Sequence, residues 1–268
     1  MIEEHVVLQV KNLGVAFGNN SPAVISGLDL TLFRGEILGL VGESGSGKTL
    51  LAKTVLRLDK NAVITSGDIV VEGESIVQCS EKTMRQLRGS SISMAMQDPA
   101  EAFDPLFTVG TQLFEALSVG EVMVKGAVDR KRIREQIINL FAEAGIDAPH
   151  ARYRQYPHQW SKGMLQRAQL LMTMAQKPKI AILDEVISAL DPTIALQILD
   201  LIRRMRRKFG SSILFITHNL GAAKEICDRI AVINGGTVIE VGNAEDIFSK
   251  PQKEYTGQLV SMYRGNDY

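Results

Sequence analysis

The segment Gly42-Glu43-Ser44-Gly45-Ser46-Gly47-Lys48-Thr49 constrains this chain more than any other. Its spacing is G-x-x-x-x-G-K-T, a complete phosphate-binding loop, and it stands in the setting such a loop needs. The apolar run Ile37-Leu38-Gly39-Leu40-Val41 before it reads as a buried strand, and Leu50 to Leu58 after it reads as a helix. Glycines let the backbone curl so that successive N–H groups face one anion, and the helix N-terminus adds partial positive charge. Lys48 is then placed to reach the β- and γ-phosphates of a nucleotide, and Thr49 to hold Mg²⁺. A Gly/Ser-rich connector is the competing reading, and it explains neither the strand before the loop nor the helix after it.

The 268 residues suffice for one large domain or two small ones. Formal net charge is zero, which removes any global electrostatic case for nucleic acid or acidic substrates. The two cysteines, Cys79 and Cys227, have no metal-ligand spacing and suit buried thiols in a reducing compartment. No basic leader opens the chain, and no apolar run approaches the roughly 20 residues that cross a bilayer. The expectation is a cytosolic protein whose membrane association goes through a partner.

Alternation over residues 6–34 predicts antiparallel strands joined by a turn at Gly18–Pro22. Gly67 to Val71 and Ser91 to Met96 read as further strands. From Pro99 the period changes: Thr108 to Leu117 and Lys131 to Ala144 are helical, and strands return only at Lys179 to Leu183 and Ser212 to Ile216. A helix over Ile194 to Lys208 lies between those two. Short strands at Ile230–Ile233 and Val238–Glu240, with a turn at Gly235-Gly236, close the pattern. The predicted fold is an α/β core over 1–98 and 176–248, a helical insertion over 99–175, and a polar tail over 249–268.

The strand Ile180-Ala181-Ile182-Leu183 ends in Asp184-Glu185. In a phosphate-loop protein an Asp there can hold Mg²⁺, and an adjacent Glu can polarise a water for in-line attack on the γ-phosphorus. Four weaker elements follow a fixed order: Gln97 after a strand, Ser161-Lys162-Gly163-Met164-Leu165-Gln166 opening a helix, Ser188-Ala189-Leu190-Asp191 after the carboxylates, and His218 ending a strand.

Taken together, these residues resemble the ATP-binding-cassette ATPases over nearly the whole chain. The stretches Gln97-Asp98-Pro99, Ala102-Phe103-Asp104-Pro105, Tyr156-Pro157-His158-Gln159, Gly163-Met164-Leu165-Gln166-Arg167, Lys250-Pro251 and Glu254-Tyr255-Thr256 are similar to the peptide/nickel importer branch. The resemblance implies an antiparallel β subdomain and an inserted helical subdomain. It also implies roles: Gln97 senses the γ-phosphate and metal and couples to a membrane subunit. Ser161 and Gly163 are signature residues that contact the γ-phosphate bound to the opposite cassette. Asp191 lies between the two sites, His218 is the switch histidine on the γ-phosphate, and Phe17 falls where the family stacks an aromatic on adenine. A core phenylalanine of the first sheet is the competing reading for Phe17.

Four positions depart from the pattern. The signature has Lys162 where glycine is usual, which can conflict with a positive φ or crowd a nucleotide and also brings a cation near phosphate. Val186-Ile187 stands where Pro-Thr is common, and Asn219 where Asp is common.

The resemblance implies an ATP- and Mg²⁺-dependent ATPase subunit, peripheral on the cytoplasmic face of the inner membrane. Its implied partners are a second cassette, two transmembrane permease subunits and, indirectly, an extracytoplasmic substrate-binding protein. Because the phosphate loop, Asp184, Glu185 and His218 are intact while the signature carries Lys162, the second cassette is expected to be a different chain. The alternatives are an ATPase subunit of a soluble phosphonate-degrading complex, a DNA-repair or translation ATPase, and a non-hydrolysing cassette. The short tail and the motifs at 102–105 and 163–166 lean toward nickel or metal-chelate cargo over peptide.

Overall fold

The computed structural model describes residues 5–18, 21–125, 129–188 and 190–265. In chain order the elements are β1 (Val6–Phe17), β2 (Ala23–Phe33), β3 (Ile37–Val41), α1 (Lys48–Val55), β4 (Ala62–Val71), β5 (Glu74–Ser75), α2 (Glu81–Ser90) and β6 (Ile92–Ala95). There follow α3 (Val109–Lys125), α4 (Arg130–Glu143), α5 (Pro149–Arg152), α6 (Lys162–Met174), β7 (Ile180–Asp184), α7 (Pro192–Phe209), β8 (Ser212–Thr217) and α8 (Leu220–Ile226). The chain ends in β9 (Arg229–Asn234), β10 (Thr237–Asn243), α9 (Ala244–Ser249) and α10 (Glu254–Gly265).

Contacts divide the chain into two compact units. The first gathers the described residues of Met1–Arg88, Ile182–Glu185 and Ser212–Tyr268, and the second those of Gly89–Ala181 and Val186–Ser211. Strand β6 and helix α7, assigned to the core by the sequence pattern, therefore fall in the second unit, and the C-terminal residues fall in the first.

The first unit holds two sheets. One is antiparallel, in the order β2-β1-β4-β5, with Leu8 opposite Val71 and Val10 between Leu30 and Ile69. In the other, β3 lies between β9 and β8 and runs parallel to both, and β10 pairs antiparallel with β9. Every residue of β3, β7 and β8 is buried, which is why these strands read as unbroken apolar runs rather than as alternation. The expected turn between β1 and β2 includes Asn19 and Asn20, which lie outside the described residues.

In the second unit, β6 meets the start of β7, where the Ile180 N–H donates to the Ser91 carbonyl at 2.9 Å. Helix α4 buries Ile133, Ile137, Ile138, Leu140 and Phe141, an apolar stripe at helical spacing. The Asp129 side chain caps it by accepting from the Arg132 N–H.

The expected polar tail is corrected by the structure: residues 254–265 form helix α10, fastened at both ends. The Glu240 carboxylate accepts from the N–H groups of Gln252 and Lys253 at 2.8 and 3.1 Å, just before the first turn. At the far end the Arg264 guanidinium donates to the Phe248 carbonyl at 2.6 Å, and the rings of Phe248 and Tyr263 meet edge to face at 5.8 Å. The helix buries only a narrow face, including Thr256 and Val260, so its composition looks polar although it is packed.

Candidate functional site

Every phosphate-loop residue lies in the first unit, between β3 and α1. Gly45 and Gly47 take positive φ, 82° and 99°, and Gly47 caps α1 in the left-handed region that glycine enters at little cost. Gly42 is needed for space instead: a Cβ there would lie 2.2 Å from the Ile233 carbonyl oxygen. The loop is braced by the β9–β10 turn, where the Gly236 N–H donates to the Ser46 carbonyl at 3.1 Å. Glu43 and Ser44 are exposed, and Ser46 is buried.

Lys48 is buried at 4% exposure, and its ammonium is held inside the loop. Nζ donates to the carbonyls of Gly42 and Glu43 at 2.9 and 2.7 Å and to Ser46 Oγ at 3.3 Å. Burial lowers its pKa, and the carboxylates of Glu185, Asp184 and Glu43 act in the opposite sense.

Thr49 and Asp184 meet at the end of β7, where Thr49 Oγ1 donates to Asp184 Oδ1 at 3.3 Å. Asp184 is buried at 2% exposure. Burial raises its pKa, the bond from Thr49 lowers it, and the neighbouring Glu185 raises it again. Hydroxyl and carboxylate oxygens are the hard donors that Mg²⁺ takes, so this pair fits that ion.

Glu185, the next residue, turns back at φ 49°, a left-handed conformation unusual for a glutamate. That turn lets its N–H donate to the Ile216 carbonyl of β8 at 2.9 Å. It also brings Glu185 Oε1 to 3.2 Å from His218 Nδ1. Glu185 is half-buried and His218 half-exposed, so a carboxylate and an imidazole face the same surface beside the phosphate loop. Asn219 caps α8, accepting from the Ala222 N–H at 2.9 Å as an aspartate could. Phe17, at the end of β1, is 45% exposed, so the reading of it as a core phenylalanine is excluded.

The remaining predicted residues belong to the second unit. Gln97 is exposed just past β6. Ser161 caps α6 and accepts from the Met164 N–H at 3.3 Å, so the signature sits at a helix N-terminus. Trp160, one residue earlier, is buried edge to face against Phe141 of α4 at 5.4 Å and anchors that terminus. Lys162 is the first helical residue, exposed and without a positive φ, so the anticipated backbone conflict does not arise. At Gly163 a Cβ would lie 3.1 Å from Ile194 of α7, a tight approach. Asp191 caps α7 by accepting from the Ile194 N–H at 3.0 Å, while Ala189 lies outside the described residues. Val186 and Ile187 are buried core residues.

Sequence reasoning did not anticipate the strained backbone of Glu185 or the Gly236 brace. Among the described residues no group of His, Cys, Asp and Glu forms a further metal site, and no helix is long and apolar enough to cross a membrane.

The ABC transporter family model matches residues 25–188, which include the phosphate loop, Gln97, the signature and the carboxylate pair. The chain belongs to the ABC transporter family. Over 258 residues it is 40% identical to the dipeptide transport ATP-binding protein DppD of Bacillus subtilis, covering 95% of this chain and 76% of that protein. It is 38% identical to the oligopeptide transport ATP-binding protein OppD of the same organism, covering 98% of this chain and 73% of the relative. Among solved structures, a Clostridium perfringens cassette, part of the ABC transporter complex cbiONQ, superimposes with a TM-score of 0.78. It is 24% identical and covers 99% of this chain and all of that one, a likeness of fold. ABC ATPases bind ATP, and this chain is an ATPase of that kind, coupled to transport. The lean toward nickel or metal-chelate cargo is not supported, because the relatives named here are peptide transporters. Its premises were residues of a nucleotide-driven subunit, which carry no chemistry for the cargo.

Proposed function

We propose that this chain is the subunit that hydrolyses ATP to power peptide import through a membrane permease. The cargo class rests on the relatives named for dipeptide and oligopeptide transport. The observation that carries the mechanism is the cluster in the first unit: Lys48 within the phosphate loop, Thr49 on Asp184, and Glu185 on His218.

In this reading the phosphates of ATP lie along the N–H groups of Gly42 to Thr49 and compete with the Gly42 and Glu43 carbonyls for the Lys48 ammonium. Thr49 and Asp184 would hold Mg²⁺, which would supply positive charge against the β- and γ-phosphates. Glu185 accepts the proton of the attacking water, His218 orients that carboxylate and meets the γ-phosphate, and the exposed Phe17 ring stacks on adenine.

Ser161, Gly163 and Asp191 face the nucleotide of a second cassette, and the departure at Lys162 within the signature favours a partner that is a different chain. The permease docks on the second unit. Leu106 and Phe107, 77% and 50% exposed shortly after Gln97, supply apolar anchors of the kind that mark interaction surfaces. The chain is then peripheral on the cytoplasmic face of the membrane, with the substrate-binding protein reached only through the permease.

The test is Glu185→Gln in the reconstituted transporter. The amide keeps the shape but cannot act as a base, so turnover falls on the order of 10²–10⁴-fold while ATP binding persists. Turnover within about 3-fold of the unaltered protein, far short of that range, refutes the assignment of the base.

A further inference from the structure

His218 stands at the corner where strand β8 turns into helix α8, and one buried hydroxyl spans that corner. Thr217, the last residue of β8, is buried and pairs in register with Val41, the residue before the phosphate loop. Its Oγ1 accepts from the Asn219 N–H at 2.9 Å. A bond from the N–H two residues on closes a side-chain turn around the residue between, which here is His218. Helix α8 leaves that N–H to Thr217. Asn219 caps the helix through its own side chain, which accepts from the Ala222 N–H. In a capping box the third helical residue returns a bond to the N–H of the cap, but here that residue is Ala222, which has no side-chain acceptor. The Thr217 hydroxyl supplies the acceptor from the strand side, and so ties the turn to the sheet.

Packing holds the imidazole only weakly. The ring is half-exposed, and His218, Asn219 and Leu220 line a cavity of about 340 Å³ with Leu259, Met262 and Tyr263 of α10. A relaxed turn would leave the ring room to swing away from the Glu185 carboxylate. The 3.2 Å approach of Nδ1 to Glu185 Oε1 therefore depends on the main chain beneath the ring. Adjacent residues of β8 then set both halves of the pair: the Ile216 carbonyl holds the Glu185 N–H, and the Thr217 hydroxyl holds the turn that bears His218.

We propose that Thr217 is a positioning residue for the chemical step: its hydroxyl holds the turn that keeps the His218 imidazole on the Glu185 carboxylate. The inference rests on the reading of Glu185 as the base with His218 as its partner, and it adds the group that fixes their geometry. Thr217 acts through His218, on turnover rather than on ATP affinity.

The experiment measures ATP turnover in the reconstituted transporter, normalised to ATP-binding sites counted by calorimetry. The variants are Thr217→Val, Thr217→Ser, His218→Ala and the Thr217→Val/His218→Ala pair, with Glu185→Gln as reference. Valine keeps the branched shape and removes the acceptor. With it kcat should fall about 3- to 10-fold, the size of one hydrogen bond's net contribution, while KM for ATP stays within about 2-fold. Serine keeps the hydroxyl and should bring kcat back to within about 2-fold of the unaltered protein. Once His218 is gone, Thr217→Val should change turnover by less than about 2-fold, because the hydroxyl acts through that ring. A second readout is NMR of the imidazoles in the full-length chain. The His218 resonances, identified by their loss in His218→Ala, should move in Thr217→Val while those of His5, His150 and His158 stay. Unmoved His218 resonances, a serine variant as slow as the valine one, or an equal fall from Thr217→Val with and without His218 would each overturn the proposal. If Glu185→Gln turns over within about 3-fold of the unaltered protein, the assignment of the base fails and the role of Thr217 with it. If Glu185→Gln is slow and Thr217→Val is not, only the role of Thr217 falls.

Discussion

Glu185 offers a test of whether the backbone at this site is strained to serve chemistry. Its φ of 49° costs an L-residue with a Cβ about 1–2 kcal/mol, a cost that glycine escapes. Glycine gives back about 0.4–1 kcal/mol through the extra freedom of its unfolded chain. Glu185→Gly should therefore be more stable than Glu185→Ala by roughly 0.5–1 kcal/mol, although Gly is ordinarily the less stable of the two. Comparing these two variants with each other, not with the unaltered protein, removes the Glu185–His218 contact from both sides. At about 2–4 °C per kcal/mol for a domain of this size, the gap is roughly 1–4 °C in Tm. The assay is thermal unfolding without nucleotide, since ATP binding would add its own stabilisation. An internal control is Asn139, exposed in the middle of α4, where the glycine variant should be less stable than the alanine variant by about 1 kcal/mol. If Glu185→Gly melts at or below Glu185→Ala, the strain is absent and the reasoning fails.

Two further outcomes follow from burial. Asp184 has a folded pKa above its unfolded value, so its contribution to stability is present below the unfolded pKa and is lost as pH rises through the folded one. Asp184→Asn should therefore raise Tm relative to the unaltered protein by an amount that grows from about pH 4 to about pH 8, while abolishing Mg²⁺-dependent ATP binding; a Tm difference that shrinks with rising pH would refute this. Cys227 is buried, and burial pushes its thiol far above the ordinary range, whereas Cys79 is half-buried. Thiol-reactive probes on the native protein should label Cys79 well before Cys227, as peptide mapping would read directly.

What was legible in the sequence was whatever local pattern alone decides. Glycine spacing fixed the phosphate loop because the backbone must curl there, and the unbroken apolar strands β3, β7 and β8 stood out because both their faces are covered. Strand β4 starts at Ala62 rather than near Gly67, because Ser66 and Gly67 interrupt the apolar pattern inside a strand whose register shifts at that point. Helix α2 had little apolar signal to offer, since Met84 is its one buried residue. Helix α10 passed for a tail because its packed face is narrow, although Thr256 and Val260 four residues apart, with Tyr263 a turn further on, carry the trace of it. The left-handed turn at Glu185 has no signal in residue type at all. A glutamate avoids that region, and the long-range bond from its N–H to the Ile216 carbonyl helps to hold it there.

Lys162 shows how the structure changes a question that the sequence raised. A lysine in place of a signature glycine threatens the backbone only if the position needs a positive φ, and here it opens α6 as an ordinary helical residue. Ser161 keeps its cap on the Met164 N–H, and Gly163 keeps the close approach to Ile194 that its missing Cβ permits. The backbone reason to regard the signature as damaged therefore falls away, and what remains is the size and charge of the lysine. A cation at a helix N-terminus opposes the helix dipole and is favourable there only when an anion shares the site. Lys162 is also exposed, so its charge costs nothing in burial. On this geometry the substitution changes the charge that the signature presents, not whether the signature can form.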